Sequence, residues 1–159
     1  MAQSYVIRPA TADDQAFISE MQYEASFVPP GADLFPRDVL DEPNITEYRV
    51  GFGTRAGDVG FVAESADGDR LGAAWVRLVD GYGFVDRLTP ELGIDVMASA
   101  RGRGIGTSLL GALLARVPRC SLGIDTRNPD LRLYERSGFR GARNDGECTA
   151  VMLRDGAPS

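Results

Sequence analysis

From Ala98 to Val117 the chain reads ASARGRGIGTSLLGALLARV, with arginines at 101 and 103, glycines at 102, 104 and 106, and then a helical apolar pattern. Closely spaced glycines let a backbone fold tightly and approach a ligand without Cβ obstruction. The first turn of a helix adds unpaired N–H groups and the positive end of its dipole. With two guanidinium groups alongside, the chemistry suited to this segment is the binding of a phosphate or pyrophosphate. A P-loop would need GxxxxGK[ST], which the chain lacks. A dinucleotide fingerprint, GxGxxG, meets Thr107 where its third glycine belongs, although Asp125 stands where a ribose-binding acid is expected.

A second constraint is an absence. The chain has no histidine. Ser-His-Asp and Cys-His nucleophiles, HExxH zinc sites and a histidine base are thereby excluded. Proton transfers fall to carboxylates, tyrosine, cysteine or ordered water.

The elements that must position these groups follow from pattern. Tyr5–Arg8 predicts a strand, and Thr11 caps a helix whose Phe17, Ile18, Met21 and Ala25 share one face. The Pro- and Gly-rich stretch 28–44 allows only short helices. Val59–Ser65 and Leu71–Val79 predict a hairpin around ADGD, followed by a loop over 80–90. Glu91–Met97 is the next strand. The glycine turn and its helix follow, anchored by Ile105, Leu109, Leu110, Leu113 and Leu114 and ended by Pro118. Cys120–Asp125 is a strand, Asn128–Ser137 a helix capped by Asn128, and 139–142 with 148–153 a closing hairpin. The glycine turn thus lies at the strand-to-helix junction of a βαβ crossover within a mixed α+β sheet.

The 159 residues suit one domain, 1–159, with 43% apolar and 25% charged residues. A net charge of -6 argues against nucleic-acid binding and suits a protein that receives cations. No apolar run reaches the roughly 20 residues of a membrane span, and MAQSYVIRPA has no signal-peptide core, so the cytoplasm is the expected location. Cys120 and Cys148 form no CxxC, which points away from a zinc site or disulfide framework.

ELGIDVMASARGRGIGTSLL resembles motif A of the GCN5-related N-acetyltransferase (GNAT) superfamily, [QR]-x-x-G-x-[GA], here Arg101, Gly104 and Gly106. NPDLRLYERSGF, from Asn128 to Phe139, is similar to the family's following segment. The two segments lie about 22 residues apart, in the family's order. The resemblance implies a single-domain acyl-CoA N-acyltransferase fold. That fold is a mixed sheet of about six to seven strands with helices on both faces and a splay between the motif A strand and the next. It implies acetyl-CoA as acyl donor, with no metal. The donor contacts it implies are Val96, Met97, Ala98, Arg101, Gly102, Arg103, Gly104, Ile105, Gly106, Thr107 and Asn128.

The resemblance further implies direct attack of an amine on the thioester in a ternary complex. Tyr134 stands where the family's general acid does, and Glu91 opens the motif A strand as candidate base. Asp95 or a water chain is the alternative, with at most one of the two carboxylates expected to face the amine. The acceptor expected is a small-molecule amine, with a protein amine as the second option; neither nucleic acid nor membrane is a partner, and a homodimer is compatible. The region 22–54 and the loop 80–90 should grip it through Tyr23, Phe27, Tyr82, Phe84, Asp33 or Asp41. Trp75 and Arg77 alternate with Ala74 and Val76, so one pair is expected inward and the other outward. A non-catalytic acyl-CoA-binding module is the competing reading.

Overall fold

The computed structural model describes residues 4–25 and 30–156. In chain order the elements are β1 (Tyr5–Pro9), α1 (Gln15–Glu24), α2 (Pro43–Thr46), β2 (Val59–Ser65), β3 (Arg70–Arg77), β4 (Glu91–Val96), α3 (Ile105–Arg116), β5 (Cys120–Asp125), α4 (Leu131–Arg136), β6 (Arg140–Asn144) and β7 (Thr149–Arg154). Seven strands form one sheet in the order β1-β2-β3-β4-β5-β7-β6. Every neighbouring pair is antiparallel except β4 and β5, which the α3 crossover makes parallel. The expected α+β architecture is therefore present, with seven strands.

Alternation along β2 and β3 separates two cores. Phe61, Ala63, Ala74 and Val76 face α3, whose Ile105, Leu109, Leu110, Leu113 and Leu114 are the buried positions that the sequence pattern singles out. Tyr134 of α4 and Phe139 join this core. Val62, Ala73 and Trp75 face the other side and pack with Ile18 and Met21 of α1 and with Phe52. Trp75 and Arg77 do not point to solvent while their neighbours point inward. Both faces of β3 are covered, and all four residues are buried. Trp75 Nε1 donates to the Tyr48 carbonyl at 3.1 Å, and the Arg77 guanidinium is spent on Asp58 and on the carbonyls of Glu47 and Val50.

The entry to α1 is held by another buried charge. Thr11 caps a 3-10 turn, Ala12–Asp14, that runs into α1. The Asp14 carboxylate accepts from the Thr11 amide at 2.8 Å, from Arg8 of β1 at 2.8 and 2.9 Å and from Arg70 of β3 at 2.8 Å. These bonds, Arg8 foremost, hold the Asp14 carboxyl well below the usual carboxylate range. A depressed acid stabilises the fold above its unfolded pKa and loses that contribution as pH falls through the folded value. Asp14→Ala should cost about 2–3 kcal/mol at pH 7, below the range for fully buried pairs because both arginines reach solvent. In urea melts the gap from wild type should narrow on acidification below about pH 4.

Candidate active site

β4 and β5 touch at one register position, Glu91 opposite Ser121, and diverge beyond it toward their C-terminal ends. The splay opens into a cleft of about 400 Å³. β4 supplies Ile94, Asp95 and Val96, the glycine turn and α3 supply Ala100–Gly102 and Gly104–Thr107, and the α4 segment supplies Pro129, Asp130, Arg132–Tyr134 and Arg136. The glycine turn, Asp95 and Tyr134 thus share one cavity.

The turn is built for close approach. Gly102 and Gly104 have φ of 80° and 77°, left-handed values that side chains resist, and a Cβ at either would meet nothing within 4 Å. Gly104 is the N-cap of α3 and has no side chain to cap it, so the first-turn amides of Ile105, Gly106 and Thr107 are left to an incoming acceptor. Arg103 Nε is buried without a partner. An orphaned guanidinium nitrogen beside uncapped helix amides fits a phosphate-bearing donor.

Four of the expected donor contacts lie outside the cleft lining. Met97 gives its amide to the Leu71 carbonyl at 2.8 Å and is 38% exposed. Ala98 starts a 3-10 turn through Ala100, and the half-buried Arg103 is not among the residues that line the cleft. Asn128 does not cap a helix beginning at 128. Its Oδ1 accepts from the Asp130 amide at 2.9 Å, and α4 starts at Leu131. That shift turns Asp130, Arg132 and Arg136 into the cleft, which sequence reasoning missed; the i, i+4 spacing of the two arginines, on one helix face, was the available signal.

The two candidate carboxylates have different surroundings. β4 pairs with β3 without a bulge. Residues four apart on such a strand share a face, so Glu91 and Asp95 project to the same side of the sheet, and of the two only Asp95 reaches the cleft. Position along the strand divides them. Glu91 is buried, outside the cleft, with Oε1 accepting from the Tyr48 hydroxyl at 2.6 Å and the Gly83 amide at 2.8 Å, and Oε2 from the Gly81 amide at 2.8 Å. Burial pushes the Tyr48 hydroxyl up, so it stays a donor. Asp95 borders the cleft with 13% of its side chain exposed. Burial pushes its carboxyl up and the charges of Glu24 and Asp130 add to this, while the Val96 amide and Arg101 pull the other way. Tyr134 packs edge-on against Phe139, centroids 5.8 Å apart. Burial foremost, then the charges of Asp130 and Asp95, pushes its hydroxyl up, which keeps the proton in place at neutral pH.

None of the described residues expected to grip an acceptor lines the cleft. Tyr23 donates to the Phe35 carbonyl at 2.6 Å under the Arg37 guanidinium, Asp33 and Asp41 are exposed, and Phe84 is half-buried. Tyr82 lies against Gly123 of β5, and Phe27 is outside the described residues. Asp125 is no ribose acid here. Arg127 binds it at 2.6 and 2.9 Å and, as the main cause, brings its carboxyl down to about 2.

The chain matches the acetyltransferase (GNAT) domain family over residues 56–141. It belongs to that family. As a GNAT member it is an acetyl-CoA-dependent N-acetyltransferase. Solved structures share the fold. One, provisionally assigned as a phosphinothricin N-acetyltransferase, is 21% identical with a TM-score of 0.67, covering 98% of this chain and 100% of its own. A GNAT-superfamily phosphinothricin acetyltransferase from Sinorhizobium meliloti, in complex with AcCoA, is 23% identical with a TM-score of 0.63 over 97% and 88% of the two chains. An N-acetyltransferase from Staphylococcus aureus Mu50 is 24% identical with a TM-score of 0.63 over 94% and 96%. No curated protein matches the sequence. No helix among the described residues is long and apolar enough to cross a membrane.

The Glu91 hub yields a stability prediction. Glu91→Gln replaces one acceptor oxygen by an NH₂ that faces an amide donor, and should cost about 2–3 kcal/mol, within the range for stranding buried polar groups. For a domain of this size that lowers Tm by roughly 5–10 °C, readable by calorimetry.

Proposed function

We propose that residues 1–159 act as one domain that transfers the acetyl group of acetyl-CoA to a small-molecule amine by direct attack in a ternary complex. The observation that carries this reading is the cleft itself, where the glycine turn, Asp95 and Tyr134 line one splay. The amides of Ile105–Thr107 with Arg101 and Arg103 hold the donor's pyrophosphate, and the β4 edge holds its arm. Arg132 and Arg136 add positive charge on the α4 wall.

Two protons must move. An alkylammonium has a pKa near that of lysine, about 10, and must lose a proton before its nitrogen can attack. Asp95 is the acceptor of that proton: it borders the cleft, whereas Glu91 is sealed beneath Tyr48, Gly81 and Gly83 and acts as a positioning group. Tyr134 supplies a proton to the departing thiolate, which leaves as the neutral thiol. The carboxylates of Asp95, Asp130 and Glu24 also favour a cationic acceptor over an anionic one. The seventeen basic residues are all arginine, so the chain carries no lysine amine of its own for the site to consume.

The test is an amine panel with acetyl-CoA, following thiol release, in wild type and variants. Tyr134→Phe should lower kcat by about 10²–10³ while leaving acetyl-CoA affinity within roughly threefold, the scale of a lost general acid. Asp95→Asn should remove the acidic limb of the kcat/KM profile, because an unprotonated carboxylate is needed and wild-type activity rises as pH passes through its value. Unchanged kcat in Tyr134→Phe would remove its acid role. Donor binding without turnover on any amine would favour the non-catalytic acyl-CoA-binding module.

A further inference from the structure

The edge of β4 that faces the splay is not bare. The pairing of Gly72 with Val96, and the bond from the Met97 amide to the Leu71 carbonyl at 2.8 Å, fix which backbone groups point toward β3. Alternation in an antiparallel ladder then directs the N–H and C=O of Val96 away from β3, toward the gap that β5 leaves. An unpaired strand edge is where an extended, amide-bearing ligand adds as a further strand. Both groups of Val96 are instead taken by side chains. Asp95 Oδ1 accepts from the Val96 amide at 2.8 Å, and Arg101 Nε donates to the Val96 carbonyl at 3.1 Å. Arg101 closes the loop, with an NH₂ group 3.4 Å from each Asp95 oxygen.

We propose that Asp95 and Arg101 form a latch on the Val96 edge that the arm of the donor displaces, so that Asp95 is handed into the cleft only when the donor is bound. This rests on acetyl-CoA being the donor and goes beyond that reading by coupling donor binding to release of the carboxylate. Latched, the carboxylate is tied to an amide and a guanidinium and is a poor proton acceptor. Displaced, it loses the amide and faces Glu24 from α1, Asp130 ahead of α4 and the Tyr134 hydroxyl on α4, with Arg101 the cation beside it. The amine's proton acceptor is thereby assembled only with the donor arm in place.

Two measurements test the latch without any acceptor amine. In ¹⁵N–¹H spectra of the free protein between pH 3 and 8, the Val96 amide shift should follow the Asp95 carboxyl; with saturating CoA that dependence should vanish, and in Asp95→Asn it should be missing in both states. Calorimetric titration compares CoA with adenosine 3′,5′-bisphosphate, which has the phosphates and no arm. Asp95→Ala should bind CoA about tenfold or more tightly than wild type, of the order of one hydrogen bond to a charged group, and its gain for the bisphosphate should be smaller. A Val96 amide that titrates identically with and without CoA overturns the latch, as do equal gains for the two ligands, which would reflect only a freed Arg101. CoA binding with unchanged affinity in every variant also overturns the latch while leaving the donor reading intact. Failure of the wild type to bind CoA at all overturns the donor reading itself, and the latch with it.

Discussion

The buried carboxylate of Glu91 sits at the one point where β4 and β5 meet, and the shape of the cleft depends on what it holds. Its oxygens collect the Gly81 and Gly83 amides and the Tyr48 hydroxyl, so the loop between β3 and β4 is folded back over the sheet. That loop in turn presses on β5: the Gly83 carbonyl accepts from Ser121 Oγ at 2.6 Å, and a Cβ on Gly83 would come within 2.6 Å of the Gly123 amide. Such a contact leaves no room for any residue but glycine. With the loop seated there, β5 is pinned at its start and its end is free to diverge from β4. The cleft is the space that divergence leaves.

Charge is divided between support and chemistry along the same lines. Asp14 with Arg8 and Arg70, and Asp58 with Arg77, are paired carboxylates that tie loops and helices to the sheet. Buried and saturated, they have no proton to exchange at neutral pH. Asp95 differs in kind. It is only partly covered, its partners are a backbone amide and a guanidinium 3.4 Å away, and it lies among like charges. A carboxyl raised by its surroundings weakens the fold as pH rises through its value, which is the direction expected of a residue kept for a proton transfer.

Much of this was legible in the residues. Helical spacing in LLGALLARV identified the buried face of α3, and the glycines of ARGRGIG marked the turn that φ values of 80° and 77° require. The strand order of a βαβ crossover followed from the pattern. Three-dimensional packing decided what was illegible. Nothing local tells that β3 is covered on both faces, or that Tyr48, forty-three positions away in the chain, donates to Glu91 and withdraws it from solvent. The start of α4 was misplaced because Asn128 is as good a cap for a turn as for a helix, and its Oδ1 serves the turn. Once α4 begins three residues later, Arg132 and Arg136 reach the cleft wall.

The central claim is that the glycine turn and the splay form a coenzyme A site. Thermal melts with acetyl-CoA, CoA, NAD and ATP, each near a concentration of about 100 times an expected Kd, test it most directly, since saturation at that level adds roughly 2.7 kcal/mol and several degrees to Tm. The account predicts a rise with acetyl-CoA and CoA and none with NAD. A rise with NAD alone, or no rise with any of the four, would contradict it.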